Sequence, residues 1–254
     1  LNVTYNVTDD NGASSNNSFT ITLTGSNDAP VATFEFDQYT TEGNQAIQGQ
    51  LTSSDIDAGD TATYELLPSG IDPEEIAIAE QRGDTDYLNR LQNFADQISA
   101  ESGLIPGLAI DPSGSWTFDP SNEIYKTLPA GDDLVLKVNY QALDDNGLAG
   151  ANYFFLTITG TNDAPVATFS DPQFATEDDI APLTGTLTAT DIDSSNLDYQ
   201  LIGAPIDGLN INPDGSWEFD STNPAYQNLA EGETRDLNVT YNVTDDNGAS
   251  SNNS

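Results

Sequence analysis

The chain runs to 254 residues, with 42 Asp+Glu against 5 Lys+Arg and a formal net charge of −37 at pH 7. It has no basic stripe to neutralise phosphates, which excludes nucleic acid and anionic membrane surfaces as partners. Cys, His and Met are absent, which removes disulfides, thiol nucleophiles, imidazole bases and the usual zinc sites together.

The remaining composition bounds a folded protein of about two ordinary domains. Hydrophobic content is 36%, but 10 Tyr, 10 Phe and 2 Trp supply large core residues. No run of 18 apolar residues exists, so no membrane insertion is expected. The acids are interspersed with apolar residues, so they belong to a folded body that repels itself unless counter-ions bind.

In chain order, strand-length segments rich in Val, Ile, Thr, Tyr and Phe fall at residues 2–8, 19–24, 134–142, 153–159 and 237–244. Leu134-Val135-Leu136-Lys137-Val138-Asn139-Tyr140 alternates apolar and polar residues, as a half-buried strand does. Asp145-Asn146-Gly147, Asp246-Asn247-Gly248 and the Gly before each Trp are turn signals. Trp116 and Trp217 are expected to be core residues. One stretch differs. Asp72-Pro73-Glu74-Glu75 reads as an N-cap, a first-turn Pro and first-turn acids, and Arg82-Gly83 as that helix's end. Asp84 or Thr85 can cap a second helix, whose Tyr87, Leu91, Phe94 and Ile98 form an apolar stripe before Gly103 ends it. The Arg82-Gly83-Asp84 tripeptide is thereby explained as a helix end followed by a cap.

Self-comparison organises these elements. Gly25-Ser26-Asn27-Asp28-Ala29-Pro30-Val31-Ala32-Thr33-Phe34 returns, with Thr161 for Ser26, at residues 160–169, an offset of 135. Asp55-Ile56-Asp57 returns at Asp191-Ile192-Asp193, an offset of 136. Trp116 and Trp217, and Asp144-Asp145-Asn146-Gly147 and Asp245-Asp246-Asn247-Gly248, are offset by 101, so the first repeat carries an insertion between Leu66 and Gly107. Leu1–Ser18 is also identical to Leu237–Ser254. The expected architecture is all-β: tandem β-sandwich domains, one with a helical hairpin insertion at about residues 70–106. Residues 1–27 are the closing strands of a preceding sandwich, 28–163 one full repeat, and 164–254 a second repeat lacking its last strand. The chain therefore reads as an internal piece of a longer protein built on a 236-residue, two-domain unit.

The acids recur in step. Glu42 and Glu177 come early, then Asp55/Asp57 and Asp191/Asp193, then Asp144/Asp145 and Asp245/Asp246, with Asn27-Asp28 and Asn162-Asp163 at the boundaries. Calcium takes six to eight oxygens from carboxylates, carbonyls and amides. Residues i and i+2 of an extended segment point the same way, so Asp-x-Asp can aim two carboxylates at one ion. Any single Asp could instead bond its own turn, but the repeated set bracketing a linker points to Ca2+. A glycosidase pair would not recur in tandem without aromatic subsites, so no catalytic residue is expected.

The combination of Asn-Asp-Ala-Pro-Val-Ala-Thr-Phe after a strand end, Asp-Ile-Asp, and Gly-Ser-Trp-x-Phe-Asp resembles the cadherin-like (VCBS-type) repeats of bacterial RTX adhesins. The resemblance implies tandem cadherin/Ig-like sandwiches that extend a giant adhesin from the bacterial cell surface for surface or biofilm attachment, outside the cell. Their linkers would be rigidified by Ca2+. Carried onto this chain, the junction between the two repeats would take Glu42, Asn162, Asp163, Asp191, Asp193 and one of Asp245/Asp246. The preceding junction would take Asn27, Asp28, Asp55, Asp57 and one of Asp144/Asp145. Glu177 would serve the junction beyond. The linker is one ligand position shorter than in animal cadherins, implying one or two ions rather than three. The implied partners are adjacent repeats of the same chain, with polysaccharide or another cell surface met elsewhere in the parent. The alternative reading is a Ca2+-dependent glycan-binding, lectin-like module.

Overall fold

The computed structural model describes residues 1–34, 36–169 and 172–254. Burial alternation builds the strands. Along Asp133–Leu143 every second residue faces inward, and Leu134, Leu136, Val138, Tyr140 and Ala142 are fully buried. This strand pairs antiparallel with Ala149–Thr159 over its whole length, from Asp133 opposite Thr159 to Leu143 opposite Ala149. Gln38–Thr41 joins the outer edge of Ala149–Thr159 in parallel, while Thr63–Leu66 and Gly70–Ile71 pair with the other edge of Asp133–Leu143. A three-stranded sheet, Ile47–Gln50, Ser115–Phe118 and Leu108–Ile110, supplies a second layer, and Val31–Thr33 pairs with Thr52–Ser54. The result is a β-sandwich whose continuous core runs from Ala32 to Ile158.

The second sandwich repeats the scheme with less sheet. Leu183–Thr186, Ser216–Phe219 and Leu209–Ile211 form one layer; Leu197–Leu201, Tyr241–Asp245 and Ser250–Asn253 form the other. Val166–Ala167 pairs with Ala189–Thr190. Its core gathers Leu187, Tyr199, Trp217, Tyr241 and Val243. Both cores place a Trp over a glycine of the neighbouring strand, Trp116 opposite Gly49 and Trp217 opposite Gly185. A Cβ on either glycine would lie 2.5 Å from the indole, so only glycine lets the ring lie flat there. Both indoles are buried, as the sequence leads one to expect.

The insertion is a helical hairpin: α1 (Pro73–Arg82) and α2 (Thr85–Ala100). The Asp72 side chain accepts from the Glu74 N–H, Gly83 adopts the left-handed conformation that closes α1, and Asp84 accepts from the Tyr87 N–H to start α2. Leu91, Phe94 and Ile98 point into the first sandwich core, and Phe94 lies against Tyr125 with ring centroids 6.4 Å apart. The Tyr87 hydroxyl donates to Glu75 and to the Asp133 carbonyl, and Arg90 pairs with Asp132 at 2.6 Å, fastening α2 to the rim of the sheet. The hairpin is therefore part of the core.

Two expected strands differ in their bounds. Asn2–Thr8 pairs with Ser14–Thr20, so the strand expected at residues 19–24 instead starts at Ser14 and stops at Thr20. Beyond Ile21, which exchanges hydrogen bonds with Leu1, the described residues offer this segment no neighbouring strand. Residues 237–240 are likewise outside any strand, and the strand starts at Tyr241. A strand persists only as far as a neighbour takes up its hydrogen bonds.

Truncating Phe94 to Ala is expected to destabilise the first sandwich by about 3–5 kcal/mol. Ile76→Ala, on the solvent side of α1, should change stability by no more than about 0.5 kcal/mol. Urea denaturation followed by Trp fluorescence measures both; equal effects would mean that the hairpin is not part of the core.

Candidate metal centre at the sandwich junctions

Each sandwich begins with an Asn-Asp pair, and local turns bring acids to meet it. In the second sandwich the turn after Tyr241–Asp245 wraps around Asp245, whose Oδ1 accepts N–H groups of Asn247, Gly248 and Ala249 at 2.9, 2.6 and 3.0 Å. This leaves Asp245 Oδ2 to accept the Asn162 side-chain amide at 2.9 Å. The Asp163 N–H points to Asp193 Oδ2 at 3.4 Å, and Asp191 Oδ1 accepts the N–H groups of Asp193 and Ser194. From the first sandwich, the 4% exposed Glu42 accepts the Thr161 N–H on Oε2 at 3.2 Å. Glu42, Asn162, Asp163, Asp193 and Asp245 are thus tied to one stretch of linker, with Asp191 holding Asp193 from behind.

The first sandwich builds the same arrangement. Asp144 Oδ1 accepts the Asn146 and Leu148 N–H groups, and Oδ2 accepts the Asn27 amide at 2.7 Å. The Asp28 N–H reaches Asp57 Oδ2 at 2.7 Å, and the Asp57 N–H reaches Asp55 Oδ1 at 2.8 Å. Asp60 completes the set: one carboxylate oxygen each of Asp55, Asp60 and Asp144 lies within 4.8 Å of the others. They border a cleft of about 330 Å³ that also involves Pro30, Leu51 and Tyr64.

Of each Asp-Asp pair only the first member faces the linker. Asp145 accepts the Thr61 N–H and hydroxyl, and Asp246 accepts Ser194 and Asn196 side chains, so both brace a neighbouring loop. Glu177 takes the position of the second sandwich that corresponds to Glu42, and its Oε2 is buried without a hydrogen-bond partner among the described residues. Sequence reasoning overlooked Asp60. Its signal was present: in Asp55-Ile56-Asp57-Ala58-Gly59-Asp60 the third acid follows three residues after the pair, and Asn196 occupies that place in the second repeat.

The oxygens have the chemistry of a cation site. Asn162 Oδ1, Asp163 Oδ2, Asp191 Oδ2 and Asp193 Oδ1 are buried without a hydrogen-bond partner among the described residues, as are Asp55 Oδ2 and Asp60 Oδ2 in the first sandwich. Acceptor-only oxygens removed from water and offered no donor are costly, and a hard divalent cation meets that need. The electrostatics agree. Burial, reinforced by Asp191 beside it, pushes the Asp193 carboxyl up to about 7. Burial and then the charges of Asp55, Asp145, Asp57 and Asp144 raise Asp60. Burial also raises Glu42, with Asp163 adding to it and the Thr161 N–H opposing. Asp144 is the exception: burial opposes its ionisation, but the Asn27 amide and the turn N–H groups outweigh this and hold it low.

Residues 162–254 match the family model of a bacterial Ig domain. No curated protein matches the chain. Among solved structures, the chain is similar to PcdhgB3 EC1-4, at 16% identity and a TM-score of 0.55, covering 100% of this chain and 55% of that one. It is also similar to the protocadherin gamma B2 extracellular cadherin domains 1–5, at 17% identity and a TM-score of 0.51, covering 99% and 43%. The chain thus spans about half the length of these structures. The likeness is one of fold: tandem cadherin/Ig-like sandwiches, mostly β, with two helices.

Replacing Asp193 with Asn tests the electrostatics. A carboxyl whose folded-state value lies above its unfolded value of about 3.9 costs stability as pH rises through that value, and the cost is complete above about 7. In chelator at pH 8, Asp193→Asn should therefore raise the Tm of the second sandwich, and the gain should fade toward pH 4. A variant that melts lower in chelator at pH 8 would contradict this.

Proposed function

We propose that the chain is an extender segment of a secreted bacterial surface adhesin, in which Ca2+ closes each junction between cadherin-like sandwiches. The observation that carries this reading is the buried oxygen set at residues 160–163, drawn from the upper sandwich through Glu42, from the linker through Asn162 and Asp163, and from the lower sandwich through Asp191, Asp193 and Asp245. Asn27, Asp28, Asp55, Asp57, Asp60 and Asp144 would serve the preceding junction, and Glu177 the one beyond. Asp145 and Asp246 shape the neighbouring loops. The repeat boundaries fall at the linkers, with residues 28–163 and 164–254 as successive units.

The ion would do two things. Bound only by the folded chain, it stabilises by mass action. Shared between two sandwiches and their linker, it fixes an angle that a short connection alone leaves free and that the acids' repulsion would otherwise widen. Nothing in this role requires catalysis; the proposed work is mechanical, holding an attachment site away from the cell. The cadherin-type fold, the bacterial Ig match of the second repeat and the acidic, thiol-free composition support placing it outside the cell.

Scanning calorimetry and small-angle scattering test the reading together. With free calcium roughly a hundredfold above Kd, each occupied site should add about 2.7 kcal/mol, Tm should rise, and the maximum dimension should be larger and better defined than in chelator. Asp163→Asn combined with Asp191→Asn should abolish the part of the gain owed to the central junction and leave that of the first sandwich. If Tm and maximum dimension are the same with calcium and chelator, the extender mechanism is wrong.

A further inference from the structure

The two kinds of repeat share the inner face of their long hairpin and differ on its outer face. Phe154, Leu156 and Ile158 are buried in the first sandwich, and by the repeat they correspond to Phe19, Ile21 and Leu23. Between them lie Tyr153, Phe155 and Thr157, where the other kind of repeat has Ser18, Thr20 and Thr22. Lys137 likewise stands where that repeat has Asn238. The same strand pairing forms at residues 2–20 with Asn2 opposite Thr20 and Thr4 opposite Ser18. The pairing therefore needs no aromatic ring and no cation on its outer side.

On the first sandwich these outward side chains meet. Lys137 is paired opposite Phe155 and Asn139 opposite Tyr153, and Tyr39 on the parallel edge strand lies beside Thr157. The Tyr153 ring stands edge-on to Phe155 at 5.5 Å between centroids, and the Lys137 ammonium lies 4.0 Å from the centre of the Tyr153 ring. Tyr39 and Tyr153 are 73 and 48% exposed. Their places are four residues apart along the strand, about 13 Å. Carboxylates keep to the border: Asp37 accepts the Phe155 N–H, Asp133 the Thr159 hydroxyl and Glu65 the Gln141 amide. Lys137 pairs with no acid among the described residues. At the Tyr39 end the face runs into a cleft of about 530 Å³, lined by Thr40, Thr41, Asn44, Gln45 and Thr159 among others and by no charged residue. In a chain with 42 acids, this face offers rings, amides, hydroxyls and one ammonium.

We propose that this face binds a polysaccharide that carries carboxylates, a polyuronate. The C–H faces of its sugar rings stack on Tyr39 and Tyr153, whose ring faces carry partial negative charge. Its hydroxyls find amide and hydroxyl partners in the cleft beside Tyr39, and a carboxylate pairs with the Lys137 ammonium. A protein partner would call for a continuous apolar centre, whereas here the rings are set among Lys137, Asn139 and Thr157. At about 0.15 M salt, charges more than about 8 Å away are largely screened, so Lys137 rather than the chain's distant acids sets the local attraction. No metal ion takes part. The binding is independent of the junction sites and persists in chelator.

Isothermal titration of the full chain with oligogalacturonate, in chelator and about 0.15 M salt, should give saturable binding. The Tyr39→Ala/Tyr153→Ala variant, altered only at exposed rings, should bind at least about tenfold more weakly while melting as the parent does. Lys137→Gln should also weaken binding and should flatten its dependence on salt. Oligoglutamate, which has carboxylates but no sugar rings, should not bind. Absence of saturable binding to oligogalacturonate overturns the proposal, as does a double variant that binds as the parent does. Equal binding of oligoglutamate would mean that charge alone acts, and would overturn it too. Sedimentation in the same buffer adds a last check: self-association of the parent that the double variant abolishes would assign the face to a second copy instead.

Discussion

Each sandwich is fastened to the chain before it by an amide and a backbone N–H clasped between carboxylates. Asn162 gives its side-chain amide to Asp245 and Asp163 gives its N–H to Asp193, as Asn27 does to Asp144 and Asp28 to Asp57. Turn N–H groups take one oxygen each of Asp144, Asp191 and Asp245, yet Asn162 Oδ1, Asp163 Oδ2, Asp191 Oδ2 and Asp193 Oδ1, with Asp55 Oδ2 and Asp60 Oδ2 in the first sandwich, stay buried without a partner among the described residues. Uncompensated oxygens of this kind are what a hard cation would satisfy. Among the described residues the ion pairs, Arg90–Asp132 and Lys126–Glu123, lie within the first sandwich, and the charge of Lys126 also acts on Glu42 and Asp163.

Much of this was legible in the sequence, for identifiable reasons. The helical hairpin was readable because its boundaries rest on local chemistry: Asp72 and Asp84 cap with their own side chains, and Gly83 takes the left-handed turn between the helices. The long strand Asp133–Leu143 was readable because half of it is buried in strict alternation. The candidate acids stand out because they repeat in step with the fold. Asp60 escaped because its counterpart is Asn196, so a search for recurring carboxylates passed over it. Which member of each Asp-Asp pair faces the linker was not legible either. That choice depends on the turn N–H groups that take up one oxygen of Asp144 and Asp245, a matter of backbone path.

Identical residues in different surroundings show how little of a strand is intrinsic. Tyr241 is 2% exposed and Val243 fully buried, whereas Tyr5 and Val7, in the same local sequence, are 43 and 58% exposed. Propensity and alternation are the same in both places. What differs is the sheet behind and the strand beside, and these set where pairing begins and which faces are dry.

The uneven placement of the five cations has its own consequence. Arg82, Arg90, Lys126 and Lys137 fall in the first repeat and Arg235 alone in the second, where it lies over the Tyr226 ring. Dilution of the surrounding electrolyte removes the screening that both sandwiches share, but only the first retains several positive groups of its own. Among the described residues both ion pairs lie in the first sandwich, so in dilute electrolyte the acids of the second are offset by dissolved cations and by Arg235 alone.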